Sequence, residues 1–580
     1  MRKNRDLLAK YGDQREIRQR ARVLFEYLDR GREPLEIICN WPVIPKLSKA
    51  GFAAIIFGVL VFDLPALADD LNSTMQTEAV KSDQTVKHEK RPKAKRTTHL
   101  DFKHSAPSTP RAVVKTAAVK FTVAETSPAQ FDKYGVKGWN IPFPSASDSL
   151  LQDYGGIRSS LASMGFGFLA FSSNSFNLNT LNTPTKVPQY STVGATGARS
   201  FFPACSTSSG PVCAGGETYF GQRPSYFSST FAFLTYDTSR WGIPDGQIVI
   251  GGNHISGNDD NYIAPATTLA QLSWYQTLFD KRVELKVGYT TNVFDFVGSY
   301  VGGNFANTFG VAASIPGELG LAYPPAPAPT ARATVHLVGN VYDEFAIQRS
   351  VSVNGPTGNG PLDETRANPT GFEFTRPGLG VLYINELGYK NAAAPGVPQN
   401  WLRFGVMYNT SFFKDLSRLS DDTATVKGNS AFYFLADRQL WQQSPGSPKT
   451  AYRGIYAGAS VMGAQPDATA FSQYYEGRLY WMGPFDSRPS DMASFVYSHN
   501  QTSHYLADQV NATAAPLAAQ GFAVPLAYYT TNSYTVSYMA HIMPGIYGAA
   551  GFGYTDHPSL FYFSHQGSSL VFFTNLTAVF

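Results

Sequence analysis

From Phe131 to Phe580 apolar and polar residues alternate in short runs separated by Gly, Pro, Asn and Asp, and no long helical segment is expected to interrupt the pattern. A period of two is what a β-strand produces, because successive side chains point to opposite faces. Between Trp401 and Phe412, the residues Leu402, Phe404, Val406, Tyr408 and Phe412 share one face, while Trp401, Arg403, Asn409 and Ser411 share the other. Val283, Leu285, Val287 and Tyr289 likewise oppose Arg282, Glu284, Lys286 and Thr290. The pattern recurs with Ile455, Ala457, Ala459 and Val461 opposite Tyr456 and Ser460, and with Tyr475, Leu479 and Trp481 opposite Tyr474, Glu476, Arg478 and Tyr480.

Two all-β architectures satisfy such alternation. Stacked sandwiches bury the apolar face against a second sheet, but this length would require several of them joined by linkers, and no linker interrupts the run. A single closed barrel in a membrane turns the apolar face outward to lipid and the polar face inward. Composition favours the barrel: charged residues are 16% and aromatics 14%, with 51 Gly, and the mean hydropathy is only -0.18. Soluble chains carry about a quarter charged residues, and helical membrane proteins need runs of roughly 20 apolar residues. At roughly 10 residues per strand the expectation is a single large antiparallel transmembrane β-barrel of about 16 strands (16 to 18). A barrel of that size is expected to hold an aqueous channel rather than a packed core. The last residues, VFFTNLTAVF, place Phe572, Leu576, Ala578 and Phe580 on one face, the pattern of a terminal strand recognised by the outer-membrane assembly machinery.

Upstream, Arg2 to Ile38 read as a charged amphipathic helix, followed by an apolar run from Ala50 to Phe62 and by Leu64-Pro65-Ala66-Leu67-Ala68. That order fits a secretion signal cleaved after Ala68, with residues 1–46 as an extended n-region or the product of a misplaced start. No Cys follows the cleavage site, so no lipid anchor is expected there. Residues 69–130 carry 11 Lys plus Arg against 7 Asp plus Glu with almost no aromatics, and are expected to be a disordered basic tether. Its charge suits an anionic envelope polymer or simple solvation; export excludes nucleic acid as a partner. Cys205 and Cys213, in CSTSSGPVC, are expected to pair as a loop disulfide in an oxidising compartment.

Specific stretches resemble the carbohydrate-selective porin family of the OprB type. In SLLQDYGGIRSSLASMGFGF the pieces are Asp153, Tyr154, Gly155, Gly156, Arg158 and Gly165. WYQTLFDKRVELKVG from Trp274, YPPAPAP from Tyr323, GVLYINELGYK from Gly380, FLADRQLW from Phe434 and DSRPSDMASFVYSHN from Asp486 follow in the same order. SYTVSYMAHIMPGIYGAAGFGYTDHP departs from the family's wording, which marks a divergent member. The resemblance implies passive diffusion of small sugars across the outer membrane, by a monomer or a homo-oligomer surrounded by outer-membrane lipid and lipopolysaccharide.

Alternation supplies the pore-lining candidates. Arg282, Glu284, Lys286, Arg403, Glu476 and Arg478 form a polar ladder, and Trp401, Tyr474 and Tyr480 offer stacking faces for sugar rings. The competing reading is that each charge pairs with a neighbour on the wall. Residues 131–580 carry 24 Lys plus Arg against 28 Asp plus Glu, a balance that suits neutral solutes better than anions. A general diffusion pore, a structural barrel and a plugged active transporter are the alternatives. An enzyme is not expected: in Ser498-His499 and Ser564-His565, neighbours along a strand face opposite ways and cannot act as nucleophile and base. No cofactor or metal is expected, and Asp259 and Asp260 of GNDDNY read as a polar loop.

Overall fold

The computed structural model describes residues 127–580, except 141–142, 182–204, 207–211, 214–220, 222, 259–264, 298–313, 356–359, 420, 422, 520–524, 559–560 and 564–567. The leader at 1–68, the tether up to residue 126, Asp259, Asp260 and Ser564-His565 lie outside the described residues.

Sixteen antiparallel strands close into one barrel. In chain order they are β1 Phe166–Asn179, β2 Ser225–Asp237, β3 Gly246–Gly257, β4 Ala266–Leu278, β5 Val283–Thr290, β6 Ala328–His336, β7 Val341–Arg349 and β8 Val381–Asn391. They continue as β9 Asn400–Lys414, β10 Thr425–Gln442, β11 Gly454–Ala464, β12 Phe471–Met482, β13 Met492–Thr502, β14 Thr530–Met543, β15 Ile546–Thr555 and β16 Ser569–Val579. Each strand pairs with its sequence neighbours, and β1 closes on β16 from Phe171 opposite Val579 to Asn179 opposite Val571. Connections at the end carrying the start of β1 and the end of β16 are short, such as 279–282, 337–340 and 544–545, whereas those at the other end include 180–224, 291–327, 350–380 and 503–529.

The faces are inverted relative to a water-soluble protein. On β9, Phe404, Val406, Tyr408 and Phe412 are exposed on the outside, while Arg403, at 1% exposure, and Asn409 are buried inside. On β12, Leu479 and Trp481 are exposed, and Tyr474, Glu476, Arg478 and Tyr480 are buried. An apolar face left uncovered excludes the sandwich, because nothing packs against it.

The seam has its own latch, built from the stretch ahead of β1. Gly155 and Gly156 adopt left-handed φ of 64° and 70°, a conformation that costs glycine little, and they turn the chain into helix α1 (Ile157–Ser163). Asp153 caps the turn, accepting from Ser159 N at 3.0 Å and Ser159 Oγ at 2.5 Å. Arg158 then reaches across the seam. Its Nη1 donates to the Phe168 carbonyl at 2.8 Å and its Nη2 to the Phe580 backbone oxygen at 2.9 Å. Phe580 N donates to Ala170 O at 2.8 Å and Leu150 N to Val579 O at 2.8 Å. The Asp-Tyr-Gly-Gly-x-Arg element is therefore a device for closing the barrel.

Two short ribbons lie outside the barrel sheet: Cys205–Ser206 with Val212–Cys213, and Pro525–Ala527 with Phe561–Phe563. The first places Cys205 opposite Cys213 along the backbone; their side chains lie outside the described residues. Among the loop helices, α2 (Ser314–Glu318) and α3 (Gly360–Ala367) come before β8, and α4 (His504–Ala519) follows β13. Helix α3 is docked by Glu364, which accepts from Arg349 at 2.8 Å and Arg376 at 2.7 Å. Burial pushes the Glu364 carboxyl up, but the Arg349 hydrogen bond and the two guanidinium charges outweigh it and hold the pKa below the usual carboxylate value.

Removing the latch should loosen the seam without changing the strand pattern. Arg158→Ala deletes two charge-assisted hydrogen bonds, each worth about 1.5–3 kcal/mol. The temperature at which the folded form converts to the unfolded form on semi-native gels is expected to drop, with circular dichroism unchanged at room temperature; an unchanged transition would show that the latch contributes nothing.

Candidate functional site: the barrel lumen

Inward side chains divide the lumen into two halves. Strands β5 to β12 carry the charges: Glu284 and Lys286, Arg332, Glu344, Glu386, Arg403, Asp437, Glu476 and Arg478. Strands β13 to β16 and β1 to β4 carry hydroxyls and amides instead, among them Ser494, Ser498, Asn500, Ser533, Thr535, Asn575, Ser175, Asn177, Ser229 and Asn253. Asp237 and His541, at the short-turn ends of β2 and β14, stand apart from that rule.

Two segments fold inside the barrel. One is Asn292–Val297, which follows β5 and is held by the charged half; the other precedes β1, runs from Tyr134 to Asn140, and is bonded to Thr235, Gln247 and Gln271 of the neutral half as well as to Arg332. Asp295 sits between two cations, accepting from Lys286 Nζ at 2.8 and 2.9 Å and lying 3.3 Å from Arg332 Nη1. Arg332 also donates to the Gly138 carbonyl at 2.7 Å and faces Glu344 at 3.4 Å. Arg403 Nη1 donates to the Phe296 carbonyl at 2.7 Å. Asn292 Nδ2 donates to Gln348 Oε1 at 2.8 Å, and Gln348 in turn donates to the Gly320 carbonyl at 2.8 Å.

The two segments also meet each other. Asn140 N donates to Phe294 O at 3.0 Å, and Asn140 Nδ2 donates to the Asp295 carbonyl. The Trp139 ring lies 5.1 Å from Phe294 and 4.9 Å edge-on from Phe233, and its Nε1 donates to Gln271 at 3.1 Å. Phe294, Phe296, Leu319 and Leu321 join Phe231, Phe233, Leu382, Ile384 and Met407 in an apolar cluster inside the barrel. The interior is thus partly packed, unlike the water-filled lumen expected from strand number alone. Inner segments bring their own apolar surface, and the wall supplies matching apolar residues among its polar ones.

The candidates from alternation fall at different places. Arg282 stands in the exposed turn before β5, not on the wall. Glu284 lies 2.8 Å from His336 Nε2 and 3.6 Å from Arg332. Lys286 and Arg403 are 1% exposed, held by the inner segment as described. Trp401 lies beneath Arg403 and Lys390, at 3.8 and 4.1 Å from its ring centre, with Nε1 donating to Tyr342 at 3.2 Å. Tyr342 and Tyr433 both donate to Glu386, each at 2.7 Å. Farther round, Arg478 pairs with Glu476 and lies 3.1 Å from Asp437. Tyr474 donates to Glu476, and Tyr480 donates to Asp437 at 3.2 Å while stacking on Tyr456 at 5.0 Å. In the neutral half, Ser498 faces inward, whereas His499 is bonded on the outer side to Asn532 at 2.8 Å, so the adjacent pair is split across the wall.

Arg332, Glu344, Glu386 and Asp437 escaped the sequence reading, although each occupies the polar phase of a strand. Asp295 and Trp139 were less visible, since TNVFDFVG reads as another strand and the stretch before β1 shows no periodicity.

Asp295 is the member whose loss does most damage. Asp295→Ala leaves Lys286 and Arg332 without their shared counter-charge, and breaking a buried pair costs about 3–5 kcal/mol. The inner segment is expected to undock, so single-channel conductance in planar bilayers rises; conductance equal to the parent would mean that Asp295 does not hold the segment.

Comparison with known proteins adds family to fold. The high-pH structure of Pseudomonas putida OprB superimposes with a TM-score of 0.58 at 16% identity, covering 76% of this chain and 100% of that one. The low-pH structure of the same protein gives a TM-score of 0.44 at 12% identity, again covering 76% and 100%. No curated protein sequence matches the chain. The family profile described as carbohydrate-selective porin, OprB family, matches residues 206–580. With β2 to β16 inside that match, this chain belongs to the carbohydrate-selective porin family, OprB.

Proposed function

We propose that sugars cross this porin along the neutral half of its lumen, from β13 through the seam to β4, while the charged half serves to hold the constriction in place. The carrying observation is the division itself. Charges on β5 to β12 are spent on each other, on Asn292–Val297 and on the Gly138 carbonyl, whereas the described inward residues of the opposite wall are hydroxyls, amides and apolar side chains apart from Asp237 and His541 at the short-turn ends. Hydroxyl and amide groups both donate and accept, which matches the hydroxyl ring of a sugar and gives a free ion little compensation for its lost hydration.

In this reading the apolar outer face contacts outer-membrane lipid and lipopolysaccharide, and β16 is the strand taken up by the assembly machinery. Density-gradient separation of the envelope is expected to recover the chain with the outer membrane; recovery with the inner membrane would refute that placement.

Liposome swelling with refolded residues 69–580 is expected to show glucose and a disaccharide entering faster than an amino acid of similar size. Equal rates for all three would make it a general diffusion pore, and no swelling would make it a closed or structural barrel. Asn500→Asp with Asn575→Asp places two carboxylates on the neutral wall. Sugar uptake should fall and cation selectivity should rise; no change in either would remove that wall from the path.

The Cys205–Cys213 bridge remains part of the same proposal, supported by their opposed backbone positions. Exported protein is expected to show neither of these thiols reacting with alkylating reagent until reductant is added. Immediate labelling of both would exclude the bridge.

A further inference from the structure

Aromatic rings inside the barrel are of two kinds. Trp401, Tyr474 and Tyr480 are exposed by 3% or less, so no solute can lie against them, and Phe231 and Phe233 on the inner face of β2 are nearly as closed, at 5% and 1%. Trp139, Phe143 and Phe171 differ: they pack against the cluster that holds Phe231 and Phe233, yet each remains only half-buried. Phe171 stands on the inner face of β1, in phase with Ser173 and Ser175, and stacks on Phe231 at 4.8 Å. Phe143 lies 5.1 Å from Phe171 and 5.0 Å from Trp139, so the three rings follow one another in a row. Polar groups lie beside them. Ser173 is opposite Thr577 across the seam, Asn575 Nδ2 donates to Ser173 Oγ at 2.8 Å, and Thr577 Oγ1 donates to Asn575 Oδ1 at 2.8 Å. Ser173 and Thr577 are half-buried as well.

A ring that only filled the core would be covered as Phe233 is; one left open to an aqueous lumen keeps apolar area against water, which costs stability. The uncovered parts of these rings suit a solute that brings an apolar face and hydroxyls together. A pyranose does so, because its axial C–H bonds make a flat apolar face while its hydroxyls stand around the rim. Aromatic faces take the first, and Ser173 and Thr577 beside them can donate to and accept from the second. Given the proposed path along the neutral half, on which this rests, we infer that Trp139, Phe143 and Phe171 form a stacking shelf for pyranose rings. Such a shelf makes the pore select ring sugars over open-chain polyols, which carry similar hydroxyls but no ring face. All three rings lie ahead of residues 206–580, the part that the family profile matches. Alternation reaches only Phe171, since Trp139 and Phe143 precede the first strand.

The test is blockage of ion current through single channels of refolded residues 69–580 in planar bilayers, titrated with glucose and with sorbitol, an open-chain hexitol of nearly the same size. In the parent, glucose is expected to half-block the current at a concentration about tenfold or more below that of sorbitol. Trp139→Leu with Phe171→Leu keeps apolar packing but removes two ring faces. The half-blocking concentration of glucose is then expected to rise about two- to tenfold for each ring, with that of sorbitol unchanged. Phe171→Tyr, which retains a ring, is expected to keep the parent's preference, and heat-modifiable mobility shows that each variant is folded. Equal block by both solutes in the parent, or a folded double variant that prefers glucose by the parent's margin, would overturn the shelf. Glucose entering liposomes without that preference would remove the shelf and leave the neutral path standing, whereas neither block nor entry by either solute would remove both.

Discussion

A sheet placed in hydrocarbon cannot have an edge, because each unpaired backbone N–H or C=O there costs several kcal/mol with no water to compensate. For this chain the condition is met at one place, where β1 meets β16. Every other strand pair joins neighbours in sequence, but the seam joins residues about four hundred positions apart. Extra interactions are concentrated there. The turn at Gly155 and Gly156 aims Arg158 at both closing strands, and backbone bonds from Leu150 and Phe580 extend the ladder beyond its last paired residues. The motif that most resembles a family signature is thus explained by closure, not by ligand recognition.

Once the apolar face is committed to lipid, charged residues have only the interior to occupy, and the interior is too crowded to leave them hydrated. Each must find a partner, since an isolated buried charge is far more costly than a paired one. On β5 to β12 they do so in two ways. Arg478, Glu476 and Asp437 satisfy each other along the wall, while Lys286, Arg332 and Arg403 take their acceptors from chain segments that enter the lumen. Wall charges and inner segments therefore position one another. The aromatic contacts of Trp139 with Phe294 and Phe233 seal the arrangement on its apolar side.

The same economy gives the barrel two sides within. Concentrating charge on β5 to β12 leaves the opposite interior wall without charged side chains except at its short-turn end. Side-chain alternation keeps the inner and outer faces of the same strands independent. A substitution at an even-numbered position of β1 such as Asn174 alters the outside, and one at an odd-numbered position such as Ser175 alters the lumen.

How much of this was legible beforehand depended on range. Period two is a local property, so the assignment of Leu402, Phe404 and Val406 to one face and Arg403 to the other could be read directly, as could strand number. The role of each inward charge could not. Lys286 meets Asp295 across a turn that resembles a strand, Arg332 meets Gly138 from the far end of the barrel sequence, and Arg403 meets Phe296 more than a hundred positions away. The sequence by itself determined which side chains face lipid and which face inward, because that follows from backbone geometry one residue at a time. Only the tertiary structure decided which inward groups line a path and which brace a constriction, because partners for buried charges are chosen by closure of the barrel and by the chain segments that enter it.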